Sequence, residues 1–206
     1  NEKPMVVSIS SGRTLKAAVA QIGQLDRPQH RLVSMVGAIA QDGSSNRYDV
    51  AQHLSEKTGG KHFMIPAPLM ADSKAERAQW CNHRLYRIVD ELCENADVAF
   101  VGIGNMGINC PLHEDGFITT AEVEEMMAAG AVAELLGLPI DARGARVNST
   151  TGERVTSLRL DAPPKRPTIG FAGGLRKHAA VIATLKGGWL SGLVTDELCA
   201  QAALDD

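Results

Sequence analysis

Short apolar runs with strand character alternate with amphipathic helical stretches along nearly the whole chain, and this alternation restricts the fold more than any other feature. Strands are expected over 5–9, 31–36, 62–65, 98–101, 168–171 and 190–194. The run at 98–101, Val-Ala-Phe-Val, is apolar throughout, as a central parallel strand covered on both faces would be. Between the strands, residues 14–24 place Leu15, Ala18, Val19 and Ile22 on one helical face, and 48–58 place Val50, Ala51 and Leu54 at helical spacing before Gly59-Gly60. Pro66-Ala67-Pro68 is expected to break the chain. The longest helix is expected over 74–95, burying Trp80, Leu85, Ile88, Val89 and Leu92. Thr119 to Glu122 has capping-box spacing for a helix to about residue 127. Residues 130–136 read as another short helix, and 154–160 as a half-exposed strand. Helices over 177–185 and 196–204, the latter capped by Thr195, complete the series. Strand, helix, strand in succession argues for an α/β fold: a Rossmann-like parallel sheet with helices on both faces, as one compact domain with room for a small inserted subdomain. Ligands of such folds settle beyond the carboxyl ends of the strands, so the loops after Ile9, Val36, Ile65, Val101 and Phe171 should converge.

At 206 residues the chain is long enough for a full core. Twenty-one Lys and Arg against 24 Asp and Glu, well interleaved, give a net charge of −3, unlike the basic face that engages nucleic-acid phosphates. No apolar stretch approaches the roughly 20 residues needed to cross a bilayer, and no secretory signal precedes the first strand, so a soluble, cytoplasmic protein without membrane partners is expected. The four cysteines are scattered, which suits reduced, structural thiols. Cys110 and His113 lack a second ligand pair, so no metal site is expected. Asn148-Ser149-Thr150 reads as a polar turn. The chain opens at Asn1 without an initiator methionine and is expected to be a fragment of a longer protein.

Two glycine-rich turns follow strands and lead into helices that begin with cations: Ser10-Ser11-Gly12-Arg13-Thr14, and Ala172-Gly173-Gly174-Leu175-Arg176-Lys177. A helix N-terminus carries about +0.5 charge and unpaired N–H donors, so a cation there is unfavourable unless an anion joins it. The pattern suggests a seat for phosphate or a similarly oxygen-rich group of a small metabolite. Gly102-Ile103-Gly104-Asn105-Met106-Gly107 matches the dinucleotide fingerprint, but Asn109, Pro111 and Gly116 enforce a loop where a helix should begin. A pocket-lining loop is the better reading, and no cofactor is expected. Asp141, where an apolar segment meets a turn, could accept sugar hydroxyls, act as a base, or simply bond its own turn. Glu134 is less informative, and His178 reads as a surface or capping residue. Hydrolase, metalloprotease and nucleotide-triphosphatase motifs have no counterpart here.

The order of these segments resembles the effector-binding domain of SorC-type sugar-responsive transcriptional regulators of bacteria. The resemblance rests on Ser11-Gly12-Arg13-Thr14-Leu15, Met35-Val36-Gly37, Pro66-Ala67-Pro68, Val101-Gly102-Ile103-Gly104, Gly130-Ala131-Val132, Asp141 with Gly144, Ala172-Gly173-Gly174 with Lys177, and Thr195-Asp196-Glu197. It implies a fold similar to glucosamine-6-phosphate deaminase and ribose-5-phosphate isomerase, and an N-terminal helix-turn-helix absent from this chain. It also implies a sugar or sugar-phosphate effector that alters the contacts of a homodimer or homotetramer, with operator DNA bound only through the absent domain. By that likeness Gly12, Arg13 and Thr14, beside Ser11, would hold the phosphate. Asp141 and Lys177 would contact the sugar from opposite sides, and the loop of Gly102, Gly104 and Asn105 would form the floor. Gly37, Pro68, Gly173 and Gly174 complete the expected lining. Ala38, Ala133 and Glu134 depart from the pattern, where glycine, glycine and aspartate are expected, so ligand identity is not inherited. A sugar-phosphate isomerase or deaminase on the same scaffold, with Asp141 as base and Lys177 stabilising an enediolate, is the competing reading; the non-enzymatic sensor is favoured because acidic groups are sparse around the expected site.

Overall fold

The structure, a computed structural model, describes residues 2–40, 42–46 and 49–206. Nine strands and eight α-helices alternate through them. The strands are β1 (Val6–Ile9), β2 (Arg31–Ile39), β3 (Lys61–Pro68), β4 (Val98–Gly102), β5 (Gly104–Asn105), β6 (Ala131–Leu135), β7 (Leu138–Asp141), β8 (Thr168–Phe171) and β9 (Gly192–Val194). The helices are α1 (Arg13–Ala20), α2 (Val50–Thr58), α3 (Lys74–Asn82), α4 (Arg84–Glu94), α5 (Pro111–Glu114), α6 (Thr120–Ala128), α7 (His178–Lys186) and α8 (Glu197–Leu204). Six strands form one parallel sheet in the order β3-β2-β1-β4-β8-β9. The chain winds outward from β1 to β3, returns to the centre for β4, and winds outward the other way to β9. The order therefore reverses between β1 and β4, where crevices of doubly wound sheets open.

Period-two alternation feeds both faces of this sheet. Leu32 packs with Ile9, Leu15, Val19, Val50, Ala51 and Leu54 beneath α1 and α2. Its neighbour Val33 joins Met35, Val89, Ala99 and Val101 on the opposite side, in a larger cluster that takes in α4, α6 and α7. The segment between β4 and β8 carries the smaller three-stranded antiparallel sheet, β5-β6-β7.

Several expectations need correction. Residues 130–136 are not a helix: Gly130 (φ 97°) ends α6, and Ala131, Ala133 and Leu135 alternate inward along β6. Leu136 and Gly137, at φ 57° and 83°, then make the two-residue hairpin to β7. The single helix over 74–95 is two, because His83 is extended, ends α3, and accepts the Leu85 N–H at 3.3 Å on Nδ1 to begin α4. The break lets α3 reach residues 152–155, where Arg77 Nε donates to the Val155 carbonyl at 2.6 Å, while α4 packs along β3. Residues 154–160 form no strand: a short 3-10 turn (Gly152–Arg154) precedes an irregular run whose Thr156 and Leu158 amides reach Leu69 and Met35 carbonyls. Pro66 and Pro68 lie within β3, tolerated because β3 is an edge strand. Helix α1 stops at Ala20 because the following loop docks on the end of α2, the Leu25 and Arg27 amides donating to Lys57 and Thr58 carbonyls. Asp196, not Thr195, caps α8, whereas Thr119 and Glu122 form the expected capping box of α6. The helix expected from residue 48 begins at Val50, and Tyr48 lies outside the described residues.

Candidate functional site

A cavity of about 550 Å³ opens at the carboxyl ends of β1, β4 and β8, on the reversal of strand order. Its wall is the turn Ser10 to Leu15, the run Gly102 to Asn105, and the turn Gly173 to Lys177. The inserted segment adds Asn109, Leu112, Glu114, Asp115, Phe117 and the hairpin residues Glu134, Leu136 and Gly137. Val36 and Leu69 close the apolar side. Cations and carboxylates balance in this lining: Arg13, Arg176 and Lys177 against Glu114, Asp115 and Glu134.

The first glycine turn is fixed to β4 by Ser10, whose Oγ accepts the Gly102 N–H at 2.8 Å and donates to the Ser11 carbonyl at 3.1 Å. Gly12, at φ 141° and ψ 156°, lets the chain swing into α1 without a side-chain cap. The first amide bonded within α1 is that of Lys16, to the Gly12 carbonyl, so the helix itself offers no acceptor to the amides of Arg13, Thr14 and Leu15. The Arg13 guanidinium is held by carboxylates of the inserted segment, Nη1 donating to Glu114 Oε2 at 2.8 Å and Nη2 to Asp115 Oδ1 at 3.0 Å.

The second turn is organised by Asp196. Its Oδ2 accepts the Gly174 N–H at 2.5 Å while its Oδ1 accepts the Cys199 N–H at 2.8 Å, capping α8. These amides hold its carboxyl below the ordinary aspartate range. Gly173 leaves room for this carboxylate, since a Cβ would lie 2.8 Å from Asp196 Oδ2. From this turn Lys177 is half-buried in the cavity, and among the described residues no hydrogen bond or ion pair within 4.0 Å engages its ammonium. Burial pushes its pKa down, opposed by Glu134 and Cys110 and reinforced by Arg13 and Arg176.

Glu134 reaches into the same cavity from β6. Gly104 makes this possible: a Cβ there would stand 1.8 Å from Glu134 Oε1. Glu134 Oε2 accepts the Gly137 N–H at 2.7 Å, joining the site to the hairpin whose Leu136 adopts φ 57°, an unusual backbone for a bulky residue. Burial drives the Glu134 carboxyl above the ordinary glutamate range, against the pull of the Gly137 amide and the Lys177 charge. A carboxyl and an ammonium thus share one half-enclosed space, able to accept and donate hydrogen bonds to a hydroxylated guest.

Of the residues expected at the site, Ser11, Gly12, Arg13, Thr14, Gly102, Gly104, Asn105, Gly173, Gly174 and Lys177 line this cavity, and Gly37, Pro68 and Asp141 do not. Asp141 belongs to a turn elsewhere, its Oδ1 accepting the Arg143 and Ala145 amides at 2.9 Å each, so it cannot oppose Lys177 across a ligand. Gly37 serves strand packing: its missing Cβ would fall 2.6 Å from the Ala67 carbonyl oxygen. Pro68, at the end of β3, offers its carbonyl to Thr156 Oγ1. The segment Gly102 to Gly107 enters β5 instead of opening a helix, which removes the geometry a dinucleotide pyrophosphate requires. Glu134 carries only a weak sequence signal, a single acid in an apolar stretch, and Glu114 and Asp115 carry none, because only the fold brings them to Arg13.

Residues 2–205 match the family model described as "Putative sugar-binding domain". The chain is 32% identical over 199 residues to the erythritol catabolism regulatory protein EryD of Brucella abortus, covering 97% of this chain and 63% of that protein. It is 31% identical over 209 residues to the transcriptional regulator LsrR of an Enterobacter species, covering 98% and 62%. It therefore spans less than two thirds of the length of these relatives. The full-length sorbitol operon regulator SorC of Klebsiella pneumoniae superposes with a TM-score of 0.85 at 21% identity, over 99% of this chain and 67% of that one, a likeness of fold. With the family model matched along almost its entire length, this chain belongs to the sugar-binding domains of SorC-type transcriptional regulators.

Proposed function

We propose that this domain senses a sugar, polyol or sugar phosphate in the cavity at the reversal of the sheet, and passes occupancy on to a DNA-binding domain of a longer regulator. The observation that carries this reading is that Glu134 and Lys177 line one cavity beside the Gly12 and Gly174 turns and feel each other's charge. Glu134 accepts ligand hydroxyls and Lys177 donates to ligand oxygens. The Gly12 to Thr14 turn seats a phosphate where one is present, and Gly173 and Gly174 bring backbone close to the guest. The names of the relatives point to polyols of the erythritol and sorbitol kind as the first ligands to try.

On this reading the domain is a binder rather than an enzyme. The isomerase alternative placed its base at Asp141, which is bound up in a turn outside the cavity. Ligand binding shifts a homodimer or homotetramer of a cytoplasmic regulator between two arrangements, by a coupling of about 1–3 kcal/mol.

Calorimetric titration with erythritol, sorbitol, common aldoses and their terminal phosphates tests the reading. At least one compound binds the natural sequence, and Glu134→Gln weakens it while leaving the fold intact by circular dichroism. Binding that is indifferent to both Glu134→Gln and Lys177→Met moves the site elsewhere, and turnover of a sugar phosphate favours the enzyme.

A further inference from the structure

The cations of the two turns are in different electrical states. Lys177 is half-buried and without a partner among the described residues, whereas Arg13, whose side chain is 48% exposed, is held by two carboxylates. Glu114 and Asp115 close α5, a four-residue helix in a segment bounded by left-handed residues, Asn109 at φ 65° and Gly116 at φ 75°. The clasp thus joins the first sheet loop to a separate stretch of chain across the cavity wall. With it closed, the formal charges of the lining cancel, and a dianionic group approaching Arg13 would meet the two carboxylates bound to its guanidinium.

We infer that Glu114 and Asp115 set the charge class of ligand to which this domain responds, by occupying Arg13 until a phosphate displaces them. This rests on the cavity being the sugar site. A neutral polyol enters with the clasp intact, touching Glu134 and Lys177. A phosphorylated ligand exchanges its oxygens for the two carboxylates on Arg13 and frees the segment 109–116. The exchange is cheap in one direction, since partly exposed ion pairs contribute little and are screened, whereas phosphate oxygens offer Arg geometry at least as good at higher charge. Only the anionic ligand then distinguishes the closed from the released segment, which differential affinity requires of any effector that changes conformation.

The test is titration of inorganic phosphate, sorbitol and sorbitol 6-phosphate into the natural sequence and a Glu114→Gln/Asp115→Asn variant, with amide hydrogen exchange followed over 109–116. The variant is expected to bind the two phosphates about 3- to 10-fold more tightly, because the competitor is gone, with sorbitol unaltered. In the natural sequence phosphates, and not sorbitol, should speed exchange in the segment, and Arg13→Gln should abolish that response. Weaker phosphate binding by the variant would make the two acids ligand contacts and overturn the inference, as would unchanged affinity or an unresponsive segment. The single Asp115→Asn variant, with a smaller gain in the same direction, covers misfolding of the double variant. Failure of phosphate in every protein overturns the exchange alone, while the sugar-sensing reading stands or falls on the polyol and sugar panel.

Discussion

The turns before α1 and α7 look alike in sequence, each a strand followed by small residues, glycine and a cation, yet they do different work. The first is tied to the neighbouring strand through Ser10 and has its arginine neutralised by Glu114 and Asp115. The second is tied to the following helix through Asp196 and leaves its lysine without a partner among the described residues, opposite Glu134. The contrast shows that a cation at a helix start is a weak guide to an anion site, because distant acids can satisfy it. What marks Lys177 is the cost of burying an ammonium that nothing neutralises directly.

This contrast can be tested one residue at a time. The greatest loss is expected from Lys177→Met, which removes the ammonium from the cavity and leaves Glu134 without that favourable charge. Affinity for any ligand of the cavity should fall by about 1.5–3 kcal/mol, measured by calorimetry, the range for hydrogen bonds to charged groups. Arg13→Ala should weaken only phosphorylated ligands, by about 1.5–3 kcal/mol, and neutral polyols hardly at all. If both substitutions weakened a neutral polyol equally, the two turns would be equivalent after all.

Glu134 should leave a signature in the pH dependence of stability. Its carboxyl titrates above the ordinary value of 4.5 when folded, so between 4.5 and the raised value the folded state holds the extra proton. Stability therefore falls as pH rises through that window, and Glu134→Gln should flatten that fall in a series of melting curves. Asp196 acts in the opposite sense. Its depressed carboxyl contributes stability that is complete above the ordinary 3.8 and is lost as pH drops through the folded value. Asp196→Ala, removing the cap of α8 and the hold on Gly174, should lower the midpoint of a urea titration. Arg13→Ala should change the stability of the free domain by at most about 1 kcal/mol, because its ion pairs are partly exposed.

The main sheet was legible because its central strands feed apolar clusters on both faces and its helices carry one apolar face, patterns that local sequence cannot hide. The inserted segment was misread where packing outranked propensity. Ala, Val, Glu and Leu at 131–136 suit a helix by composition, but the ladders to β5 and β7 and the Leu136-Gly137 turn make a hairpin of them. Asp141 was singled out for standing at the end of an apolar run, and its turn proved sufficient reason for it.

Sequence alone thus specified a doubly wound parallel sheet, its glycine turns, and a crevice at the strand ends, since these follow from periodicity and from backbone conformations open mainly to glycine. Which carboxylates meet which cations was settled by folding. Charges act through space, and the 101 residues separating Arg13 from Glu114 say nothing of the 2.8 Å between them.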